Sequence, residues 1–227
     1  MKAADVMIRD VIVVKPDDEM DEAIKLLGDY DISALPVIDD DGKLVGVLSE
    51  ADLLHRAEIG TEKQHPWWLE AVMPASKLAD EFAKSHGRRV DEIMTTELVT
   101  ATPDATLSEI AMLLERHRIK RVPILEDGEL VGIVSRSNLI QALASSQAQT
   151  HSVDAEPGSD RKIRLDLLNR LDDQKWTDFG ERNVIVNDGI VHLWGLVSTE
   201  AEHKALVALA EEVPGVVSVL DETIPAY

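Results

Sequence analysis

A mixed α/β fold of the α+β kind is what the 227-residue sequence predicts: two β-α-β-β-α units, then a small α-β-β-α-β module. Three observations carry the prediction. One phrase is written twice, as G-K-L-V-G-V-L-S-E-A-D-L-L from Gly42 and G-E-L-V-G-I-V-S-R-S-N-L-I from Gly128. The composition is 44% hydrophobic but only 4% aromatic, so the core must be Val, Ile, Leu and Ala, as where helices pack on sheets. Beyond a polar, aperiodic stretch the pattern changes to a new helix, hairpin, helix and strand.

The phrase belongs to a longer repeat. Aligning Pro16 with Pro103 also aligns Met7 with Met94, Ile32 with Ile119 and Pro36 with Pro123; one deletion later, Gly42 and Gly46 meet Gly128 and Gly132. Each copy opens on a β-branched run, 11–14 or 98–101, with Asp17 or Asp104 ahead of a helical pattern. An extended segment around Pro36-Val37-Ile38 or Pro123-Ile124-Leu125 reaches an acidic-Gly turn. A buried strand, 44–48 or 130–134, then runs into a second helix starting at Ser49 or Ser135. One copy cannot cover both faces of its sheet, so two copies build one pseudo-symmetric module.

Between the copies, Trp68, Val72 and Met73, then Leu78, Phe82 and Ala83, have helical spacing interrupted by Pro74. This insert packs on the module's own flank or, as Trp favours interfaces, forms a dimer contact. His86-Gly87-Arg88-Arg89 is a weak candidate patch for a phosphate or a partner. After the 146–159 linker, Ile163, Leu167, Leu168 and Leu171 mark a helix face, and Asn187-Asp188-Gly189 marks a hairpin with Gly189 in a left-handed turn. Ser198 is the expected cap of a helix running through Val213, with Glu202 one residue beyond ideal capping-box spacing. Pro214-Gly215 stops that helix, and 216–220 returns as a strand. The expected boundaries are 1–60, 61–89 (insert), 90–145, 146–159 (linker) and 160–227.

Charge and motif content exclude several function classes. A net charge of −20 argues against phosphate-backbone binding to nucleic acid and against adsorption to an anionic membrane. Zero cysteines exclude disulfides and thiolate chemistry. The N-terminus lacks the apolar core of a signal peptide and no long apolar run follows, so a cytoplasmic location is expected. Phosphate-loop, nucleophile-elbow and His-Glu-x-x-His patterns are missing and the seven His are scattered, so neither an enzyme nor a metal site is expected.

With the motifs Gly46-Val47-Leu48-Ser49-Glu50-Ala51-Asp52, Gly132-Ile133-Val134-Ser135-Arg136-Ser137-Asn138, Leu35-Pro36-Val37 and Val122-Pro123-Ile124, residues 1–145 apart from the insert resemble a tandem pair of CBS domains. That family is the regulatory module that binds adenosine-containing ligands. The resemblance implies that Asp52 takes the ribose hydroxyls with two hydrogen bonds. Asn138 holds the matching position with one carbonyl acceptor and no charge. Apolar and backbone groups of Ile12, Val13, Pro36 and Val37, or of Val99, Thr100, Pro123 and Ile124, would hold adenine. Ser49 and Ser135 open helices whose N–H groups suit phosphate. Cations come from the second copy alone: Arg116-His117-Arg118-Ile119-Lys120-Arg121 stands where the first copy has Asp29 to Ala34, and Arg136 sits in the second phrase. One composite site is therefore expected, with Asp52 on ribose and Lys120, Arg121 and Arg136 on phosphate. The plainer reading makes Ser49, Ser135 and Asp52 helix caps and Arg116 to Arg118 a solvated helix end.

Residues 160–227 resemble a BON domain, on Asp188-Gly189, Leu193-Trp194-Gly195-Leu196-Val197 and Gly215-Val216-Val217-Ser218-Val219. That small bacterial module is associated with envelope and osmotic-stress proteins and with phospholipid or protein partners; the acidity of this half weighs against a membrane. Together these features point to a non-catalytic sensor with no obligatory cofactor. Its regulatory ligand is AMP, ADP or ATP ahead of NAD or S-adenosylmethionine, and it signals as a homodimer of the CBS pair or by BON docking to an unknown protein partner. The alternative is a ligand-independent dimeric scaffold whose BON domain engages an envelope, phospholipid or stress-response partner.

Overall fold

A computed structural model describes residues 1–54, 59–61, 66, 72–147 and 159–226. Trp67, Trp68 and nearly all of the 146–159 linker lie outside the described residues. In chain order the elements are α1 (Ala3–Val6), α2 (Met20–Asp29), β1 (Ala34–Ile38), β2 (Leu44–Ser49), α3 (Glu50–Leu53), α4 (Ala75–His86), α5 (Val90–Ile93) and α6 (Leu107–Arg116). They continue with β3 (Arg121–Glu126), β4 (Glu129–Ser135), α7 (Arg136–Gln147), α8 (Ser159–Asp172), β5 (Val184–Asn187), β6 (Ile190–Val197), α9 (Glu200–Glu211) and β7 (Ser218–Pro225). Two compact units divide the chain: residues 11–100 with 125–130, and residues 1–10, 101–124 and 131–227.

In the first unit β1 and β2 pair antiparallel, Pro36 opposite Val47, with a bulge between Val37 and Ile38. The opening strand of each repeat is shorter than its β-branched run suggests. Val14 alone bridges to Val37 and, in the second unit, Ala101 alone bridges to Ile124. Pro16 and Pro103 stand two residues further on and cannot donate to a ladder. The first helices also start later than expected. Thr106, not Asp104, caps α6, accepting from the Glu109 N–H at 3.2 Å while the Glu109 carboxylate accepts from the Thr106 N–H at 2.8 Å. Asp104 instead pairs with Lys2 at 2.8 Å.

Each repeat's core is completed by a short helix from the start of the other copy. Val90 and Ile93 of α5 are fully buried among Leu27, Leu35, Val37 and Leu48 of the first repeat. Ala3, Ala4 and Val6 of α1 are buried among Ile110, Leu114, Val122 and Val134 of the second. The repeated Met-Gly pairs follow from this exchange. A Cβ at Gly132 would lie 2.7 Å from Met7 Sδ and 3.0 Å from the Ile8 carbonyl, and Gly46 faces Met94 Sδ in the same way. Neither glycine can carry a side chain while these methionines cover it.

The C-terminal module has sheet order β5-β6-β7. Asp188 and Gly189 adopt positive φ (51° and 74°), making the expected hairpin turn, and the Asp160 carboxylate accepts from both of their N–H groups. Strand β7 runs parallel to β6, which the intervening α9 makes possible as a crossover connection. The α9 cap is Thr199, accepting from the Glu202 N–H at 3.0 Å. Ser198 is one residue outside it, which restores ideal spacing to Glu202. Ile163, Leu167 and Leu171 of α8 join Val184, Val191, Leu193, Leu206 and Phe179 in the core.

Candidate nucleotide site

Strand β2 delivers Ser49 to the start of α3, and β4 delivers Ser135 to the start of α7. In the first repeat Asp52 Oδ2 accepts from the Ser49 N–H at 2.9 Å and from the Ser49 hydroxyl at 2.6 Å. In the second, Asn138 Oδ1 accepts from the Ser135 N–H at 2.8 Å and the Ser135 hydroxyl at 2.7 Å. The Asp-to-Asn change therefore leaves the cap geometry intact, because both residues supply the one oxygen that the cap uses. What changes is the far side of the group, which is charged acceptor in one copy and amide donor in the other.

Thr95, which sequence reasoning passed over, distinguishes the copies further. Its hydroxyl donates to Asp52 Oδ1 at 3.1 Å, and its backbone exchanges both hydrogen bonds with Val47. The repeat places Ile8 at the same position, and Ile8 exchanges both backbone bonds with Ile133. A carboxylate thus stands where the neighbouring chain offers a hydroxyl donor, and an amide where the equivalent residue is apolar. A carboxylate accepts about four hydrogen bonds, and three are taken here. Two bonds from ribose therefore require Thr95 to turn away.

The remaining sequence-predicted residues divide between the units. Ile12, Val13, Val99 and Thr100 are half-buried and belong to the unit of the first repeat, with Pro36 and Val37. Val37 is 0% exposed and sits in the core, so only its backbone can face a ligand. Pro123 is buried in the second repeat beside Ser135, Arg136, Lys120 and Arg121 in the same unit. The first N–H of each helix is already used: Glu50 donates to the Ser33 carbonyl at 3.1 Å and Arg136 to the Lys120 carbonyl at 3.2 Å. The expected phosphate contact with free N–H groups thus loses its first donor in both copies. The Arg136 guanidinium donates to the Ile119 carbonyl at 3.0 Å.

The basic run is partly structural. Arg118 (φ 55°), like Asp31 (φ 49°) in the first copy, is the left-handed residue closing a helix. The next N–H reaches back to Leu114 or Leu27 at 3.1 Å. Arg116 to Arg118 therefore match the helix-end reading. His86 ends α4, stacked on Phe82, while Arg88 and Arg89 serve the start of α5, for Glu92 accepts from their N–H groups and Arg89 pairs with Asp91 at 2.8 Å. A separate groove of about 470 Å³ is lined by Thr102, Asp104, Glu109, Met112 and Arg116 among others, and by none of the residues expected to hold ribose, adenine or phosphate. Among the described residues no carboxylate and His group is arranged to hold a metal, and no helix is long and apolar enough to cross a membrane.

Paired hairpins, exchanged helices and two matched Ser caps define a tandem-repeat module with an appended α+β domain. Comparison with protein families agrees: the CBS domain model matches residues 3–58 and 90–145, and the BON domain model matches 159–224. The Methanocaldococcus jannaschii protein MJ1426 is 32% identical over 152 residues, covering 60% of this chain and 90% of that protein. CBSX2, a chloroplastic CBS domain-containing protein of Arabidopsis thaliana, is 32% identical over 146 residues, covering 62% of this chain and 61% of CBSX2. The crystal structure of CBSX2 in complex with AMP superposes with a TM-score of 0.55 at 31% identity, over 63% of this chain and 97% of that one. The chain belongs to the CBS-pair family and carries a C-terminal BON domain.

Proposed function

We propose that the CBS pair binds an adenine nucleotide and that the protein is a non-catalytic regulator working through it. The observation that carries this reading is the Ser-x-x-Asp cap of the first repeat. Asp52 is half-buried and pre-ordered by Ser49 and Thr95, and it stands at the position that the family uses for ribose. CBSX2, which resembles this chain across the CBS pair, is known with AMP bound, and that supports the ligand class.

The unequal copies favour the first repeat for ribose, at Asp52, while Lys120, Arg121 and the carbonyl-anchored Arg136 make the second repeat the cationic one. AMP, ADP or ATP fits this charge division ahead of NAD or S-adenosylmethionine. A homodimer built on the CBS pair, in the cytoplasm, with an unidentified protein partner completes the reading.

Calorimetry with AMP, ADP, ATP, NAD and S-adenosylmethionine tests it. The expected result is sub-millimolar binding of at least one adenine nucleotide. No heat and no thermal shift with any of the five at millimolar concentration would leave the ligand-independent scaffold as the better account.

A further inference from the structure

Helix α7 has two attachments along its length. Its first turn carries Arg136 and Asn138 of the candidate site. Further along, Gln141 donates to the Arg182 carbonyl at 3.0 Å, Ala142 and Ser145 are buried, and the helix packs on β5 of the BON domain. The N-terminal segment is held from the same side, because α1 packs on α8 and β5.

The chemistry of that contact is polar and specific. Arg164, on α8, is only 2% exposed and spreads its guanidinium over three carbonyls. Nε reaches Val184 at 2.9 Å and Nη2 reaches Glu181 at 2.8 Å within the BON domain, while Nη1 reaches Met7 at 3.3 Å across the contact. The Glu181 carboxylate accepts from the Arg9 N–H and, at 3.1 Å, from the Asp10 N–H, and faces the Arg9 guanidinium at 3.5 Å. Arg161 pairs with Asp5 at 3.1 Å. Met7 in turn covers Gly132 and Ile8 ladders onto Ile133, so the gripped segment lies against β4, the strand that ends in Ser135. The turn from Ser135 to Asn138 is thus held from two sides, by α7 directly and by β4 through residues 7 and 8.

We infer that the BON domain is the reader of the second repeat: docked on α7 and residues 5–10, it sets the order of the Ser135–Asn138 turn, and occupancy of that turn sets the docking. The inference rests on the nucleotide reading for its ligand but not for its contact. An interface made of ion pairs and backbone capture, rather than continuous apolar core, is of the kind that separates and re-forms. Linkage makes the effect reciprocal, since whatever the ligand does to docking, docking does to ligand affinity.

The test uses the full chain with Glu181→Ala, which releases the Arg9 and Asp10 N–H groups, and with Gln141→Ala, which loosens the α7 side without touching the BON core. Hydrogen exchange without nucleotide should quicken about tenfold in 139–145 and 8–10 in both variants. AMP affinity, by calorimetry, should move about fivefold. Exchange in α7 within about twofold of the parent protein in both variants overturns the docking inference whatever AMP does. Quickened exchange with unchanged AMP affinity overturns the coupling. Quickened exchange with no AMP heat from any of the three proteins supports the docking and removes the nucleotide reading instead.

Discussion

Replacing Arg164 by Met keeps the side chain's length and removes its charge, which isolates what the buried guanidinium contributes. Three carbonyls lose a charged donor, and a buried acceptor left unpaired costs about 1 to 3 kcal/mol. Burial works the other way. It pulls the Arg164 pKa down from the usual guanidinium range to about 10, so removing the cation returns roughly 3 kcal/mol. The balance is a net loss of about 3 kcal/mol, a large part of the stability of an ordinary domain. Urea unfolding followed by tryptophan fluorescence reads this directly, with Trp176 and Trp194 both in the BON domain. The midpoint should fall with little change in slope. Unchanged or increased stability would contradict this balance, because it would mean that the carbonyls find other donors and that the guanidinium is not the anchor.

The repeat offers a matched comparison. Gly132→Ala should cost about 2 kcal/mol and Gly46→Ala about 1 kcal/mol in thermal or urea unfolding. The new methyl at 132 meets the fixed Ile8 carbonyl, whereas at 46 its nearest neighbours are atoms of the movable Met94 side chain. Arg118→Gly should stabilise by about 1 kcal/mol in the same assay, since it relieves a left-handed residue in a helix-closing turn. Glu109 is held below its ordinary value of 4.5 by the Thr106 N–H and hydroxyl. Its contribution is therefore complete above pH 4.5 and is lost as pH falls through the depressed value. Glu109→Gln should unfold more easily than the parent protein at pH 7, with the two curves converging in acid.

The long-range organisation was legible wherever a pattern repeats. The two hairpins, their Asp-Gly turns and the Ser caps all follow from one phrase and its copy, and Asp188-Gly189 announces its turn through residue type alone. The exchanged helices α1 and α5 were not legible, because four residues make one turn and give no periodicity. Their trace was the alignment of Met7 with Met94, which marks the end of each, but nothing local says which copy's core they enter. Asp17 and Asp104 stand ahead of the helical patterns, but the cap of α6 is Thr106, two residues further on than Asp104. At the site, Asp52 and Asn138 were visible as a pair. Thr95 was not, since its relevance depends on a ladder with Val47 nearly fifty residues away. Arg164 sits on the apolar face of α8 beside Ile163 and Leu167, and sequence alone does not distinguish a buried anchor there from a charge reaching out to water.

The proposed function requires Asp52, pre-ordered by Ser49 and Thr95, to hold the ribose of an adenine nucleotide. Titration calorimetry of AMP into the full chain and into Asp52→Ala tests it most directly. Loss of a charged hydrogen-bond acceptor worth about 1.5 to 3 kcal/mol predicts affinity weakened by one to two orders of magnitude, roughly. Equal affinity in the two proteins would contradict the claim, leaving Asp52 a helix cap and nothing more.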